Sequence, residues 1–310
     1  MKLKIAYLPT GDYNFASSRL RVWKIIPHLS DCIPQVFGRE TPAEVLATLG
    51  ETHDVIVVQK RTDLTPYIFS WQDQGAKVVF DCDDLIDNIP FDMVDLVTTD
   101  TKFKQEKMWG KPGRNNIRVI PDCLDITDLA IKKTNHRETL KTVVVCLNRD
   151  NVYHVQNLAM ACHSLKVDLT VITDLQNNSF VYDYGVHGVQ WHVSNVNQEM
   201  IKYDIAACPF VFDSPQSHSR NWIESKSANK LLKAWGLGLP VIGTPIPSYL
   251  EAGLITSAET VEEWAAALII FDSKKLREAD AERGREIAMH YKAKDMAYGW
   301  ESVFKSLCNR

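Results

Sequence analysis

Short apolar runs, each followed by a stretch of helical spacing, constrain this chain more than any other feature. Runs at 3–8, 54–58, 77–80, 93–98 and 117–120 read as buried parallel strands, and 18–30, 64–74 and 101–109 carry helical periodicity between them. That alternation predicts a doubly wound α/β sheet in the first half. A polar, strandless stretch near 126–140 follows, and the pattern then restarts. Strands are expected at 142–147, 168–172, 187–191, 204–208 and 240–243, helices near 151–165 and 226–236, and helical material from about 259 onward. A length of 310 residues accommodates two such domains, each with its own core. Ligands of open α/β sheets bind outside the carboxyl ends of the strands, so a ligand is expected between the two domains.

Composition narrows the class. Apolar residues make up 45% and charged residues 24% with a net charge of −4, which excludes a disordered chain and a strongly polyanion-seeking surface. The seven cysteines are scattered, with no C-x-x-C pair and no Cys/His spacing suited to zinc. They read as buried free thiols of a reducing cytoplasm. The apolar run after Met1 is too short for a signal peptide, and no window reaches membrane-spanning length.

Ser225 to Gly243, S-K-S-A-N-K-L-L-K-A-W-G-L-G-L-P-V-I-G, reads as loop, helix, turn and buried strand. Ser225 and Ser227 suit a helix start, Leu231, Leu232 and Trp235 share a face, and Gly236 and Gly238 stop the helix. Free N–H groups and the positive dipole end, with Lys226, Ser227, Asn229 and Lys230 beside them, suit a phosphate. The competing reading is an ordinary helix start that binds only water.

Three other stretches carry chemistry. Asp81-Cys-Asp-Asp84 follows a strand and reads either as divalent-metal ligation or as a loop cap. The loop from Gly11 to Arg21 lacks G-x-G-x-x-G, which counts against NAD, and Arg19 in it reads as an anion contact or a surface arginine. Residues 102–118 mix basic and large apolar side chains, as a solvated helix face or as a dock for anionic lipid or another phosphate-bearing molecule. Nucleic acid as a partner fits the acidic overall balance poorly.

Four pieces in order resemble the retaining glycosyltransferases of the GT-B fold, the group-1 or family-4 type. Asn116-Ile-Arg-Val-Ile-Pro-Asp-Cys-Leu-Asp125 is similar to that family's k-i-x-v-I-P-N-G-v-D, and Tyr203-Asp-Ile-Ala-Ala-Cys-Pro209 to its a-D-v-x-v-x-P. The 226–242 stretch resembles its g-x-x-x-x-E-A-x-A-x-G-x-P-V-I block, and Tyr298-Gly-Trp-Glu-Ser-Val-Phe-Lys-Ser-Leu307 its last tryptophan-bearing helix. There are departures. The family's paired Glu residues are replaced by Ser225 and Lys233, and His154 stands in the region of its diphosphate-gripping Lys.

The resemblance implies an α/β GT-B fold of two Rossmann-like domains facing across a cleft. It assigns 1–130 to the acceptor domain, 141–290 to the nucleotide-sugar donor domain and 291–310 to a helix crossing back onto the first. It implies a cytoplasmic retaining glycosyltransferase, peripheral at the inner membrane face in one version. The donor is a nucleotide-diphosphate sugar, with no metal and no other cofactor. The acceptor is a glycan, a lipid-linked sugar or another hydroxyl compound. Asp83, Arg19 and Arg149 are the implied catalytic residues, and Gly11, Arg149, Lys226, Ser227, Asn229, Lys230 and Glu251 the implied donor-binding ones. The alternative is a catalytically silent GT-B protein that binds a nucleotide or glycan, and a sugar-nucleotide epimerase is a third reading without a convincing acid/base set.

Overall fold

The computed structural model describes residues 2–86, 88–109, 116–175, 183–212 and 219–309. It divides into two compact units, Met1–Cys123 with Tyr291–Arg310, and Leu124–His290. Among the described residues no helix is long and apolar enough to cross a membrane.

The first unit is a parallel sheet of β1 (Leu3–Leu8), β2 (Cys32–Val36), β3 (Val55–Gln59), β4 (Lys77–Asp81), β5 (Leu96–Thr99) and β6 (Ile117–Val119), in the order β2-β1-β3-β4-β5-β6. Its central strands are Val/Ile-rich and buried on both faces, as parallel strands must be when helices cover them. β2 has no signature in the sequence because Pro34 interrupts it. Phe37 N–H donates to Tyr7 O at 2.8 Å, and the two-residue period then turns position 34 to the outer edge. There a proline's missing N–H costs nothing and blocks further pairing.

The helix expected over 18–30 is instead three short pieces: Ala16–Ser18, a π-helical turn Arg19–Trp23, and a 3-10 turn Ile26–His28. Lys24 N–H reaches back five residues to Arg19 O, and Pro27 cannot donate to an α-helical ladder. The helix of 64–74 likewise starts as a 3-10 turn, Thr62–Tyr67, around Pro66 and becomes α-helical over Ile68–Asp73.

The C-terminal helix Ala293–Leu307 belongs to this first unit. Ala297, Trp300 and Phe304, at helical spacing, sit on one sheet face with Ile5, Tyr7, Leu20, Val57 and Val79. Burial of each large side chain there contributes about 1.5–3 kcal/mol. Glu301 fixes the helix by accepting from Asp31 N–H at 2.7 Å.

The second unit holds β7 (Thr142–Cys146), β8 (Asp168–Thr173), β9 (His187–Gln190), β10 (Ile205–Cys208) and β11 (Val241–Gly243), all parallel, in the order β11-β10-β7-β8-β9. Helices Gln156–Leu165 and Val261–Ile270 contribute Leu158, Ala161, Trp264 and Leu268 to its core. Helix Asn229–Gly236 packs against Lys274–Ala288 so closely that a Cβ on Gly284 would lie 2.2 Å from the Trp235 ring. Gly238, at φ 73°, ends the first of these helices in the left-handed region, where a side chain would also strike Lys133 O.

Candidate functional site

In the second sheet the chain runs β7, β8, β9 to one side and places β10 and β11 on the other. Neighbouring loops therefore part at the carboxyl ends of β7 and β10, which is where an open α/β sheet binds its ligand. Arg149 opens the turn after β7, Phe210 follows β10, and helix Asn229–Gly236 starts nearby. Phe210 is held from the neighbouring strand: its N–H donates to Thr244 Oγ1 at 2.8 Å.

Lys230 reaches into this corner. Its Nζ lies 5.6 Å from the centroid of the Phe210 ring, and the groups that act on its charge are the Cys208 and Cys146 thiols. Burial holds its ammonium below the ordinary lysine value. Among the described residues no carboxylate forms an ion pair with it. The corner thus contains a half-buried lysine ammonium that meets no carboxylate among the described residues.

Around it stand aromatic and polar groups. His154 is buried beside Phe210 at 5.1 Å, and its Nδ1 accepts from Val211 N–H at 3.0 Å. The Tyr249 ring centroid lies 6.2 Å from that of Phe210. Burial pushes its phenol well above the ordinary value, so it stays neutral. Lys226 lies over the Trp222 ring at 3.4 Å. Periodicity missed Phe210, Tyr249 and Trp222; the signal that was available is position, since Phe210 stands just past a strand.

The helix start differs from expectation. The N-cap is Ala228, without a side-chain cap, and the helix begins at Asn229. Ser225 instead closes the short helix Arg220–Glu224, its hydroxyl donating to Trp222 O at 2.7 Å, while Ser219 caps that helix's start. Ser227 and Asn229 flank the turn into the longer helix, half-buried. Glu251 is the exposed last residue of helix Pro247–Glu251.

The other nominated residues lie in the first unit. Gly11 N–H donates to Ser18 Oγ at 3.0 Å. Arg19 is buried and donates through Nη1 to the carbonyls of Tyr13 and Asn14, shaping its own loop. Asp83 lies 3.0 Å from Lys60 Nζ, which also holds Asp84 at 2.8 Å. Burial pushes the Asp83 carboxyl up, but Lys60, Arg21 and Lys104 together outweigh it and leave the group below the usual range.

Asp81 forms a bidentate pair with Arg21, at 2.8 and 2.7 Å, so the acidic triplet faces cations of the protein. No three His, Cys, Asp or Glu side chains gather as metal ligands among the described residues. In the 102–118 stretch, Lys104 turns inward to Asp100 and to the Asp83 carbonyl, and Lys102 and Lys107 stay exposed. Residues 110–115 of that stretch lie outside the described residues.

No protein-family model and no curated protein matches the sequence. Solved structures do match the fold. A glycosyltransferase from Rickettsia africae superposes with a TM-score of 0.71 at 12% identity, covering 99% of each chain. HepE from Anabaena, solved with UDP and glucose, gives 0.71 at 13% identity over 98% of this chain and 100% of its own. A putative UDP-N-acetylglucosamine 2-epimerase from Listeria monocytogenes gives 0.57 at 13% identity, covering 100% of this chain and 97% of its own. These likenesses establish the GT-B fold and leave the reaction to be argued from the site.

Proposed function

We propose that this protein transfers a glycosyl group from a nucleoside-diphosphate sugar to a hydroxyl acceptor, with retention at the anomeric carbon and without a catalytic metal. The observation that carries the reading is Lys230: a half-buried cation without a carboxylate partner among the described residues, at the strand ends where the second sheet parts. A diphosphate supplies the missing negative charge. Arg149 and Lys226 add charge from the neighbouring turns, and Phe210, Tyr249 and Trp222 supply apolar surface. The UDP in the HepE structure is consistent with such a donor.

In the proposed step the bond from the anomeric carbon to the diphosphate oxygen breaks, and a bond to the acceptor oxygen forms on the same face. The acceptor's proton passes to the departing phosphate oxygen. The protein's task is to stabilise the charge of that leaving group, and pre-aimed donors of this kind are worth about 100- to 1,000-fold in rate each. Arg19 and Asp83, bound to loop carbonyls and to Lys60, serve by shaping the first unit's loops.

A silent binding protein is the second reading, favoured by one observation. Lys233, where the resemblance expects a ribose-holding carboxylate, is tied to Asp125. Calorimetric titration with UDP, GDP, ADP and TDP, with and without magnesium, tests the donor site. Magnesium-independent binding of one nucleotide supports it; no binding of any refutes the donor reading and leaves the silent protein as a glycan binder. Slow hydrolysis of the corresponding sugar nucleotide then separates enzyme from silent binder.

A further inference from the structure

We propose that the first unit holds its own oxyanion site, for a small ligand bearing a phosphate or carboxylate, built by Arg61 and Gln59 at the carboxyl end of β3. The sheet order β2-β1-β3-β4-β5-β6 has its reversal between β1 and β3, so the loops part there as they do between β7 and β10 in the second unit.

Gln59 is the last residue of β3 and is fully buried. Its Oε1 accepts from Thr10 N–H at 3.3 Å and from the Ser18 hydroxyl at 2.7 Å. Those two donors fix which way the amide points and leave Nε2 without an acceptor among the described residues. Two residues on, Arg61 is 6% exposed and spends Nη2 on Asp63 Oδ2 at 2.8 Å, while its Nε and Nη1 also lack acceptors. Buried donors left unmet are costly, and those of a guanidinium most of all.

The one carboxylate that Arg61 does hold shows what the site takes. Asp63 is 63% exposed and binds with a single oxygen, so a ligand oxyanion would find donors still unspent beside it. Arg39, whose Nε donates to Thr10 O at 2.9 Å, also acts on Asp63, which brings a second guanidinium to the same strand ends. Asp83 and Asp84 are paired with Lys60. A neutral hydroxyl compound would satisfy the hydrogen bonds but not the charge; an oxyanion does both. The inference goes beyond the donor reading and does not depend on it.

The test is calorimetric titration of the whole chain with inorganic phosphate, in a Lys230→Ala background that silences the second unit's lysine. Arg61→Gln should weaken phosphate binding about 10-fold or more, and Asp63→Asn, which removes the competing carboxylate, should tighten it. Asp63 is on the surface, so that variant decides the matter even if Arg61→Gln fails to fold. No phosphate binding in the Lys230→Ala protein, or an affinity that Asp63→Asn leaves unchanged or weakens, overturns the proposal. Acetate in place of phosphate distinguishes the ligand: binding of acetate as tight as phosphate assigns a carboxylate, and weaker binding a phosphate. Loss of UDP binding by the unmodified chain would sink the donor reading while leaving this one standing.

Discussion

Lys233 Nζ lies 3.2 Å from Asp125 Oδ2, with the two side chains 10% and 16% exposed. This pair joins helix Asn229–Gly236 to the segment that opens the second unit, and it accounts for a lysine at a position where the resemblance expects a glutamate. Within this fold the side chain serves as a tie.

The tie makes a directional prediction. Lys233→Met should lower stability by about 2–3 kcal/mol, because Asp125 loses its cation in a largely dry setting. Lys233→Glu, which restores the residue that the resemblance expects, should cost more, since it sets two carboxylates side by side. Urea unfolding of both variants measures this, and a Lys233→Glu protein as stable as the parent would remove the pair from the account.

Lys230 should behave in the opposite manner. Lys230→Ala removes a charge without a carboxylate partner among the described residues, so the fold is expected to melt at the same temperature or higher. Affinity for the nucleoside diphosphate should fall about 10- to 100-fold, the worth of a charge-assisted contact. Calorimetry on this variant decides the point: an unchanged Kd takes the lysine out of the donor site.

Arg21 is the buried hub of the first unit. It grips both oxygens of Asp81, donates to Ile120 O at 2.8 Å and to Asp122 at 3.1 Å, and lies 5.6 Å from the Trp300 ring of the last helix. Arg21→Met should destabilise by about 3–5 kcal/mol, because it strands buried carboxylates. Adding Asp81→Asn to Arg21→Met should cost less than the sum of the two single changes, as groups in one network do. Strict additivity in denaturant titrations would mean that the two do not interact.

Asp100 gives a pH dependence. Burial pushes its carboxyl up to about 7 against the pull of Lys104. Unfolded, it titrates near the ordinary value of about 3.9. Between those two values the folded chain binds the extra proton, so this group's contribution to stability falls as pH rises from about 4 to about 7 and is level above that. Asp100→Asn should flatten the slope of unfolding free energy against pH in that window. A slope identical to the parent's would show that Asp100 titrates normally.

Much of the fold was legible because burial on both faces of a parallel sheet writes itself as continuous Val/Ile runs. β3 and β7 show this, and every strand that the periodicity predicted is present. β2 escaped because an edge strand tolerates Pro34 and a polar neighbour. The continuous helix expected over 18–30 failed for a related reason. Spacing reports which residues are buried, and a π-turn, a 3-10 turn and an α-helix can bury the same ones.

The sequence by itself determined the two sheets, their parallel sense, the breaks between elements and the cationic character of the 226–230 stretch, because these depend on residues close together in the chain. Only the tertiary structure decided which charges are spent. Arg21 is paired across sixty residues with Asp81, Lys233 across 108 with Asp125. Lys230, with the same ammonium group, has no carboxylate partner among the described residues. A charge's role is set by what else the fold removes from water beside it, and that neighbourhood is assembled from distant parts of the chain.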